Sequence, residues 1–430
     1  MSLRKQAISG VKWTTTSTIV IAVTAILKIS ILTRFLDKSD FGLMALVTFV
    51  MGFMNLFNDM GLASAILHKQ KISKKEYASL YWINLFMGFV LFGMLLLITP
   101  IISTFYDQSQ LNILIPLLGL NLIISGIGRQ FKVIEQKKLL FKQISIIDII
   151  ASIFALGFAI LLAVKGFGVY SLVYSSLLLY LISNVAFLVI GLKKQGLLFH
   201  FNFTETMPFL KIGMYQVGGQ IVNYFNRDLD ILIIGKIFSP DILGGYSLAK
   251  QLVFRPAQLI NPILVKVASP TLALFQTDII ALKRNYLKLV NIISTINIPV
   301  YIGIIIFAPW IIQILYGNGF ENIIILVRIL SVYMMLRAIG NPVGSLVIAT
   351  GRTDLEFIWN LATLLIMPIF IYIGSFYGVI GVTIGITLAM LILFIPGWKL
   401  LINRMTGATW PEYCKAIFYM KFKSLIKGIM

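Results

Sequence analysis

Long apolar segments, separated by short polar connectors, recur along the whole chain. Each is long enough for a helix to cross the roughly 30 Å hydrocarbon core of a bilayer. The pattern predicts an all-α, polytopic membrane protein with about twelve transmembrane helices. We place them at approximately residues 13–36, 41–67, 77–101, 111–128, 143–164, 168–191, 211–236, 242–267, 286–309, 322–348, 355–374 and 377–399.

Basic residues are distributed unevenly between the two sets of connectors. Of the 36 lysines and arginines, 26 fall in segments that are cytoplasmic when the N-terminus is inside, whereas the outer loops contain Lys38, Lys165 and Lys236. Cytoplasmic loops of membrane proteins carry such an excess. The asymmetry predicts a multi-pass protein whose N-terminus and C-terminus are both cytoplasmic.

The two halves of the chain resemble each other. Gly10 and Gly42 lie 32 residues apart, as do Gly213 and Gly245, and each pair brackets a long span. Because six helices return the chain to its starting side, both copies insert in the same direction, which makes the repeat parallel. We expect pseudo-symmetric six-helix lobes, N-terminal and C-terminal, at residues 1–200 and 201–403.

Residues 404–430 form a basic tail. Pro411–Met430 carries four lysines among apolar residues and is too short and too basic to span a membrane. A basic amphipathic cytoplasmic helix lying on anionic lipid is the expected structure. Disorder or a truncated end is the alternative.

Composition agrees with a membrane protein and leaves little room for catalysis. Charged residues make up 12% of the chain, against about 25% in soluble domains. The net charge of +20 follows the topology, so we expect no nucleic-acid partner. The single cysteine, Cys414, excludes an intramolecular disulfide, and His68 and His200 lie far apart. With no phosphate-binding loop and no catalytic or metal-binding constellation, the sequence predicts a transporter without cofactor or metal, and not an enzyme.

Several charges fall inside predicted spans, where an uncompensated charge costs about 2.5–3.5 kcal/mol. Such charges either line a wet cavity or form structural pairs between helices. A cationic cavity would suit an anionic passenger. The candidate substrate-binding cations are Lys28, Arg227, Lys250, Arg255, Arg328 and Arg337, and the candidate ion-coupling or structural acids are Asp59, Asp228 and Asp230.

Helical spacing makes these candidates more specific. Arg227 and Asp230 are three residues apart, so we expect them to pair on one helix face, which leaves Asp228 without an assigned role. Arg328 and Arg337 are nine residues apart and should face nearly opposite directions.

The motifs resemble a known family. Gly10-Val-Lys-Trp, Leu32-Thr-Arg-Phe-Leu, Asp59-Met-Gly-Leu-Ala-Ser-Ala-Ile and Asn226-Arg-Asp-Leu-Asp-Ile are similar to segments of Wzx-type polysaccharide flippases, within the multidrug/oligosaccharidyl-lipid/polysaccharide exporter superfamily. The resemblance covers nearly the whole chain. It implies a MATE-like, V-shaped pair of lobes that works by alternating access. Some relatives carry two further helices, so this chain is expected to be a shorter variant or an incomplete one.

The resemblance also implies a substrate and partners. The passenger would be an undecaprenyl-diphosphate-linked oligosaccharide, moved from the cytoplasmic to the outer leaflet of the bacterial inner membrane. Polar side chains for its sugar would come from Tyr215, Asn223, Tyr224, Asn226 and Gln258, although aromatic residues in spans more often pack or form interfacial belts. A proton or sodium gradient is the expected energy source. Membrane lipids, a polysaccharide polymerase and the chain-length machinery are the expected partners.

Three alternatives stay open at this point. A cation-coupled multidrug exporter would be expected to carry an acid in a first-lobe helix, whereas the first helix here carries Lys28. A flippase for the peptidoglycan precursor is the second alternative. A membrane protein with an assembly role and no transport is the third.

Overall fold

A computed structural model describes residues 3–59, 62–69 and 71–419. Within the helices, the side chains of residues 3–8, 59, 62, 64, 68, 212–216 and 262–271 lie outside that description. Every regular element in the described part is helical, which confirms the all-α class. The α-helices are α1 (Leu3–Leu32), α2 (Lys38–Asp59), α3 (Leu62–His68), α4 (Lys74–Tyr106), α5 (Leu111–Lys137), α6 (Phe141–Val164), α7 (Val169–Gln195), α8 (Phe203–Ile237), α9 (Pro240–Ala273), α10 (Ile279–Leu315), α11 (Ile324–Gly340), α12 (Val343–Thr350), α13 (Thr353–Ser375), α14 (Gly378–Gly397), α15 (Arg404–Thr406) and α16 (Trp410–Phe418).

Ten of the predicted spans coincide with segments of the described chain that are long and apolar enough to cross a membrane. The other two predicted spans fall on α8 and α9. These helices have 35 and 34 residues, which is more than a crossing requires. They carry most of the intramembrane charge, so their composition is less apolar than that of the rest.

One predicted span is not a continuous helix, because the span at 322–348 contains both α11 and α12. The break has a clear cause, since Pro342 lacks a backbone N–H and ends the run of helical hydrogen bonds begun in α11. Uniform apolarity hides such breaks in the hydropathy pattern.

The described chain forms two compact units, interleaved along the sequence. The first comprises residues 1–224, 239–244 and 315–317, and the second comprises residues 225–238, 245–314 and 318–430. The division therefore falls within α8. The lobe boundary at residues 200 and 201 stays a prediction.

In the first unit, α5 packs against α2, α4 and α7, and α6 packs against α1 and α7. Glycines allow the closest approaches. A Cβ added to Gly128 would lie 2.2 Å from the backbone oxygen of Asn184, and one added to Gly42 would lie 2.0 Å from that of Pro240. Both distances are shorter than a non-bonded carbon–oxygen contact allows, so glycine is required at these crossings.

In the second unit, α14 packs against α11 and α13. The crossing of α13 and α14 is again made by glycine, because a Cβ on Gly381 would lie 2.2 Å from the backbone oxygen of Gly374. After α14 the chain continues through a π-helical segment, Trp398–Asn403, and the short α15.

The described part of the tail packs onto the second unit. Tyr413 and Ile417 of α16 are buried in the same apolar cluster as Tyr286. Glu412 binds Lys283 at 2.8 Å, and the hydrogen bonds from Lys283 and Thr409 lower the pKa of Glu412 to about 2. These two apolar side chains are therefore covered by protein, whereas Phe418 of the same helix is exposed. Contact of the tail with lipid stays a prediction, and residues 420–430 lie outside the described residues.

Candidate functional site

The intramembrane charges of α8 and α9 meet in the second unit. Lys250 of α9 places its Nζ 2.7 Å from Asp230 Oδ1 and 3.1 Å from Asp228 Oδ1. It also donates to the backbone oxygen of Arg227 at 2.8 Å. Lys250 and Asp230 are each 7% exposed. An ammonium group this deeply buried requires such a set of acceptors.

Asp230 is fully engaged by its neighbours. Tyr246, one helical turn before Lys250, donates its hydroxyl to Asp230 Oδ2, and the backbone N–H of Ile231 donates to Oδ1 at 3.0 Å. Both carboxylate oxygens therefore have donors. These hydrogen bonds offset part of the cost of burying a polar side chain.

Arg227 pairs with Asp228 and not with Asp230. Its Nε and Nη2 both lie 2.7 Å from Asp228 Oδ2. The predicted pairing of Arg227 with Asp230 is therefore wrong. Spacing along α8 allows that pair, but Lys250 and Tyr246 reach Asp230 from α9 and take its oxygens. Asp228, which had no assigned role, bridges Arg227 and Lys250.

Aromatic rings extend this group of charges towards α11. The ring of Phe254 lies 5.3 Å from Lys250 Nζ and 5.6 Å from Arg337 Cζ, distances typical of cation–π contacts. Arg337 also donates to the hydroxyl of Tyr333. We call the set Arg227, Asp228, Asp230, Lys250 and Arg337 the charged cluster.

The charged cluster changes the role expected of two predicted cations. Arg227, Lys250 and the two aspartates form a neutral group of four, so Lys250 acts as a structural counter-ion. The side chain of Arg227 is 50% exposed. Arg337 adds the one positive charge that no acid of the cluster contacts.

The remaining predicted cations lie outside the charged cluster. Arg328 is exposed and donates to the backbone oxygen of Ile305 at 3.3 Å, so it differs from Arg337 as the nine-residue spacing predicts. Arg255 is half-buried in the second unit, and Lys28 is half-buried in the first. The side chain of Asp59 lies outside the described residues.

Two of the polar side chains proposed for a sugar have structural partners. Tyr224 packs on Phe49 at a centroid distance of 5.5 Å and donates to its backbone oxygen. Asn226 donates to the backbone oxygen of Asn360 at 2.8 Å. Asn223 and Gln258 are exposed. The side chain of Tyr215 lies outside the described residues.

Sequence reasoning missed a second ion pair, in the first unit. Lys132 Nζ lies 2.8 Å from Asp148 Oδ2 and 5.3 Å from the ring of Phe187. Ser183 donates to Asp148 Oδ1 at 3.2 Å. The signal was present, because Asp148 is an acid within a predicted span. Tyr246 and Lys250 are four residues apart, so they share one face of α9, and this spacing was a comparable signal for a joint contact with Asp230.

No group of three or more metal-binding side chains occurs among the residues whose placement is described. Comparisons with known proteins address function more directly. The sequence profile of a family described as "polysaccharide biosynthesis protein" matches residues 31–325. The chain is 30% identical to the lipopolysaccharide biosynthesis protein WzxC of Escherichia coli, over 99% of this chain and 87% of that protein. It is 28% identical to the teichuronic acid biosynthesis protein TuaB of Bacillus subtilis, over 85% and 76% respectively.

Solved structures show the same fold. An inward closed conformation of the lipid II flippase MurJ matches with a TM-score of 0.77 at 15% identity, covering 97% of this chain and 91% of that one. An inward-facing multidrug resistance MATE transporter of the MOP superfamily matches with a TM-score of 0.68 at 18% identity, covering 90% and 96%.

Proposed function

The chain belongs to the polysaccharide biosynthesis protein family, and we propose that it flips undecaprenyl-diphosphate-linked oligosaccharide repeat units across the bacterial inner membrane. Transport runs from the cytoplasmic to the outer leaflet and serves surface polysaccharide biosynthesis. The observation that carries this proposal is the similarity to WzxC along 99% of the chain. The transporter fold of the structural neighbours supports it.

Lys28 is the strongest candidate for a contact with the diphosphate. It is half-buried within an apolar helix, and no ion pair or hydrogen bond joins it to another residue in the described part of the chain. An unpaired ammonium inside a membrane is costly, so an anionic ligand that compensates it gains binding free energy. Arg227, whose side chain is 50% exposed, and Arg255 are the second-unit candidates.

The proposed cycle is alternating access by two six-helix halves, driven by a proton or sodium gradient. The termini are cytoplasmic in this proposal. The flipped repeat unit is passed to a polymerase and chain-length machinery at the outer leaflet. A diphosphate would not cross hydrocarbon unaided, because burying its charge without compensation is prohibitive.

The first test deletes the gene in its own bacterium and supplies it again from a plasmid. We expect surface polysaccharide to disappear and lipid-linked repeat units to accumulate in the inner leaflet, and the plasmid to reverse both effects. Normal surface polymer in the deletion strain would contradict the proposed function.

The second test concerns the cations. Lys28→Ala should lower surface polymer about tenfold at equal protein level, because a charge-assisted contact contributes about 1.5–3 kcal/mol, and Lys28→Arg should retain much of the activity. Lys165→Ala, in an exposed connector, is the matched control. Normal polymer in the Lys28→Ala, Arg255→Ala double variant would remove both residues from the substrate site.

A flippase for the peptidoglycan precursor is the second candidate, favoured by the fold likeness to MurJ. At 15% identity this likeness concerns the fold alone. Expression of the chain in cells depleted of their own lipid II flippase separates the two candidates. Restored growth would favour the second candidate, and continued lysis would favour the first.

A further inference from the structure

Three buried side-chain amide oxygens in the first unit have no hydrogen-bond partner within the described residues. They are Oδ1 of Asn55 and Asn58 on α2, and Oδ1 of Asn121 on α5. Asn58 is 1% exposed and Asn121 is 3% exposed. We call these residues, together with Ser125, the amide cluster.

Helix geometry places the amide cluster at one interface. Asn55 and Asn58 are three residues apart on α2, and Asn121 and Ser125 are four apart on α5, so each pair shares a helix face. The two faces meet, because Asn58 donates its Nδ2 to Ser125 Oγ at 2.7 Å. Ser125 in turn donates to the backbone oxygen of Leu122 at 3.2 Å.

The cluster lies within the membrane span. Asn121 is ten residues from the start of α5, or about 15 Å along a helix that rises 1.5 Å per residue. A third helix, α4, closes the site from another side, because a Cβ on Gly88 would lie 2.7 Å from the backbone oxygen of Leu122. The cluster is therefore enclosed by three helices.

The chemistry of the unpaired atoms is one-sided. Each buried polar group without a partner costs about 1–3 kcal/mol, and all three unpaired atoms here are acceptors. A single water molecule has two hydrogens to donate, which is fewer than the three oxygens require. A positive ion interacts favourably with acceptors alone and takes several oxygens as ligands.

Oxygen donors bind hard cations. The four side chains of the amide cluster are uncharged, and a divalent ion would keep most of its charge in a medium of low dielectric constant, at a prohibitive cost. A small monovalent ion suits this donor set. We propose that Asn55, Asn58, Asn121 and Ser125 form a binding site for Na⁺. The ion's role in driving transport rests on the proposed function, whereas its binding does not.

Purified full-length protein in detergent tests the binding. We expect saturable uptake of ²²Na⁺ and a higher melting temperature in NaCl than in choline chloride at equal ionic strength, because an ion that binds the folded state stabilises it. Asn121→Leu should weaken Na⁺ binding at least tenfold. Asn112→Leu, which alters an exposed position of the same helix, is the matched control and should bind like the unaltered protein.

A gain-of-affinity variant covers the case in which Asn121→Leu does not fold. Asn121→Asp keeps an oxygen ligand and adds a negative charge, so it should bind Na⁺ more tightly. Equal melting temperatures in NaCl and choline chloride, with no saturable ²²Na⁺ binding, would overturn the site. If the purified protein binds no Na⁺ but deletion of the gene abolishes surface polymer, the flippase function stands without the site. If the purified protein binds Na⁺ but deletion leaves surface polymer normal, the site stands and the flippase function is removed.

Discussion

At the residue scale, Lys250 is the shared counter-ion of two aspartates inside the second unit. It lies within 3.1 Å of both carboxylates and donates to a backbone oxygen as well. Removing one partner of a buried pair leaves the other charge uncompensated, which costs more than the pair itself contributes. The charged cluster is therefore sensitive to charge balance and not simply to the number of ion pairs.

Lys250→Met should destabilise the protein by about 3 kcal/mol, the lower end of the range for breaking a buried pair. The double variant Lys250→Met, Asp230→Asn restores a neutral group and should regain part of that loss. Melting of the purified variants in detergent measures both effects. Arg328→Met is the control, since that side chain is exposed and its contact is a backbone oxygen. Additive losses in the double variant would contradict a coupling through charge.

The sequence identified the charged residues, but it could not identify their partners. Arg227, Asp228, Asp230 and Lys250 are visible because charge is rare in apolar helices. Which acid binds which cation depends on how α8 and α9 are rotated against each other, and on the hydroxyl of Tyr246. The amide cluster was not predicted, because a buried asparagine in a span leaves no charge signal in the sequence.

At the element scale, the start of α2 is fixed by two kinds of contact in the first unit. Asp40 accepts a hydrogen bond from the backbone N–H of Val169 at 3.1 Å, which ties it to the start of α7. Gly42 meets the backbone of Pro240 and Gly244 at the start of α9. The 32-residue spacing of the repeat singles out Gly42 in the sequence. The structure supplies the physical reason, which is that the two backbones leave no room for a Cβ.

Gly42→Ala should therefore weaken the protein. A Cβ there would lie 2.0 Å from the backbone oxygen of Pro240, so the two helix starts must separate, at a cost of about 1–3 kcal/mol for overpacking. Gly93→Ala is the matched control, because the same addition in α4 meets nothing within 4 Å. Protein level in membranes and melting temperature report the difference. Equal values for the two variants would show that the close approach is not needed.

The tail helix α16 can be followed through the chain's single cysteine. Cys414 is half-buried, and this burial raises the pKa of its thiol, so both factors slow its labelling by maleimide. Glu412→Ala removes the contact with Lys283 and the cap on Thr409, and should increase the labelling rate several-fold. Glu412→Gln can still cap the helix and should show a smaller increase.

The same contact has a defined dependence on pH. Glu412 has a pKa of about 2 in the folded protein, below its ordinary value of 4.5. A depressed carboxyl pKa contributes stability that is fully present above the ordinary value and lost as the pH falls through the folded one. Docking of α16 should therefore persist between pH 5 and 8, once labelling rates are corrected for the thiolate fraction. Release within that range would show that another group controls the helix.

At the scale of the whole molecule, the hydropathy pattern predicts the positions of the spans without any knowledge of their side-chain contacts. Ten spans were located correctly, because each buries enough apolar surface to cross a bilayer whatever its partners are. The break between α11 and α12 escaped prediction, since a single proline barely changes average hydropathy. The direction of insertion is predicted from the connectors, because 26 of the 36 basic residues fall in those on one side of the membrane.

The parallel repeat and the orientation can be tested together with reporter fusions at turn glycines. Gly166 and Gly196 lie on either side of α7, and Gly378 and Gly407 bracket the equivalent helix of the second half. Because cytoplasmic loops retain basic residues, alkaline phosphatase should be active when fused at Gly166 and Gly378 and inactive at Gly196 and Gly407. An inverted repeat would give opposite orders in the two pairs. Reversal in both pairs would instead preserve the repeat and place the termini outside.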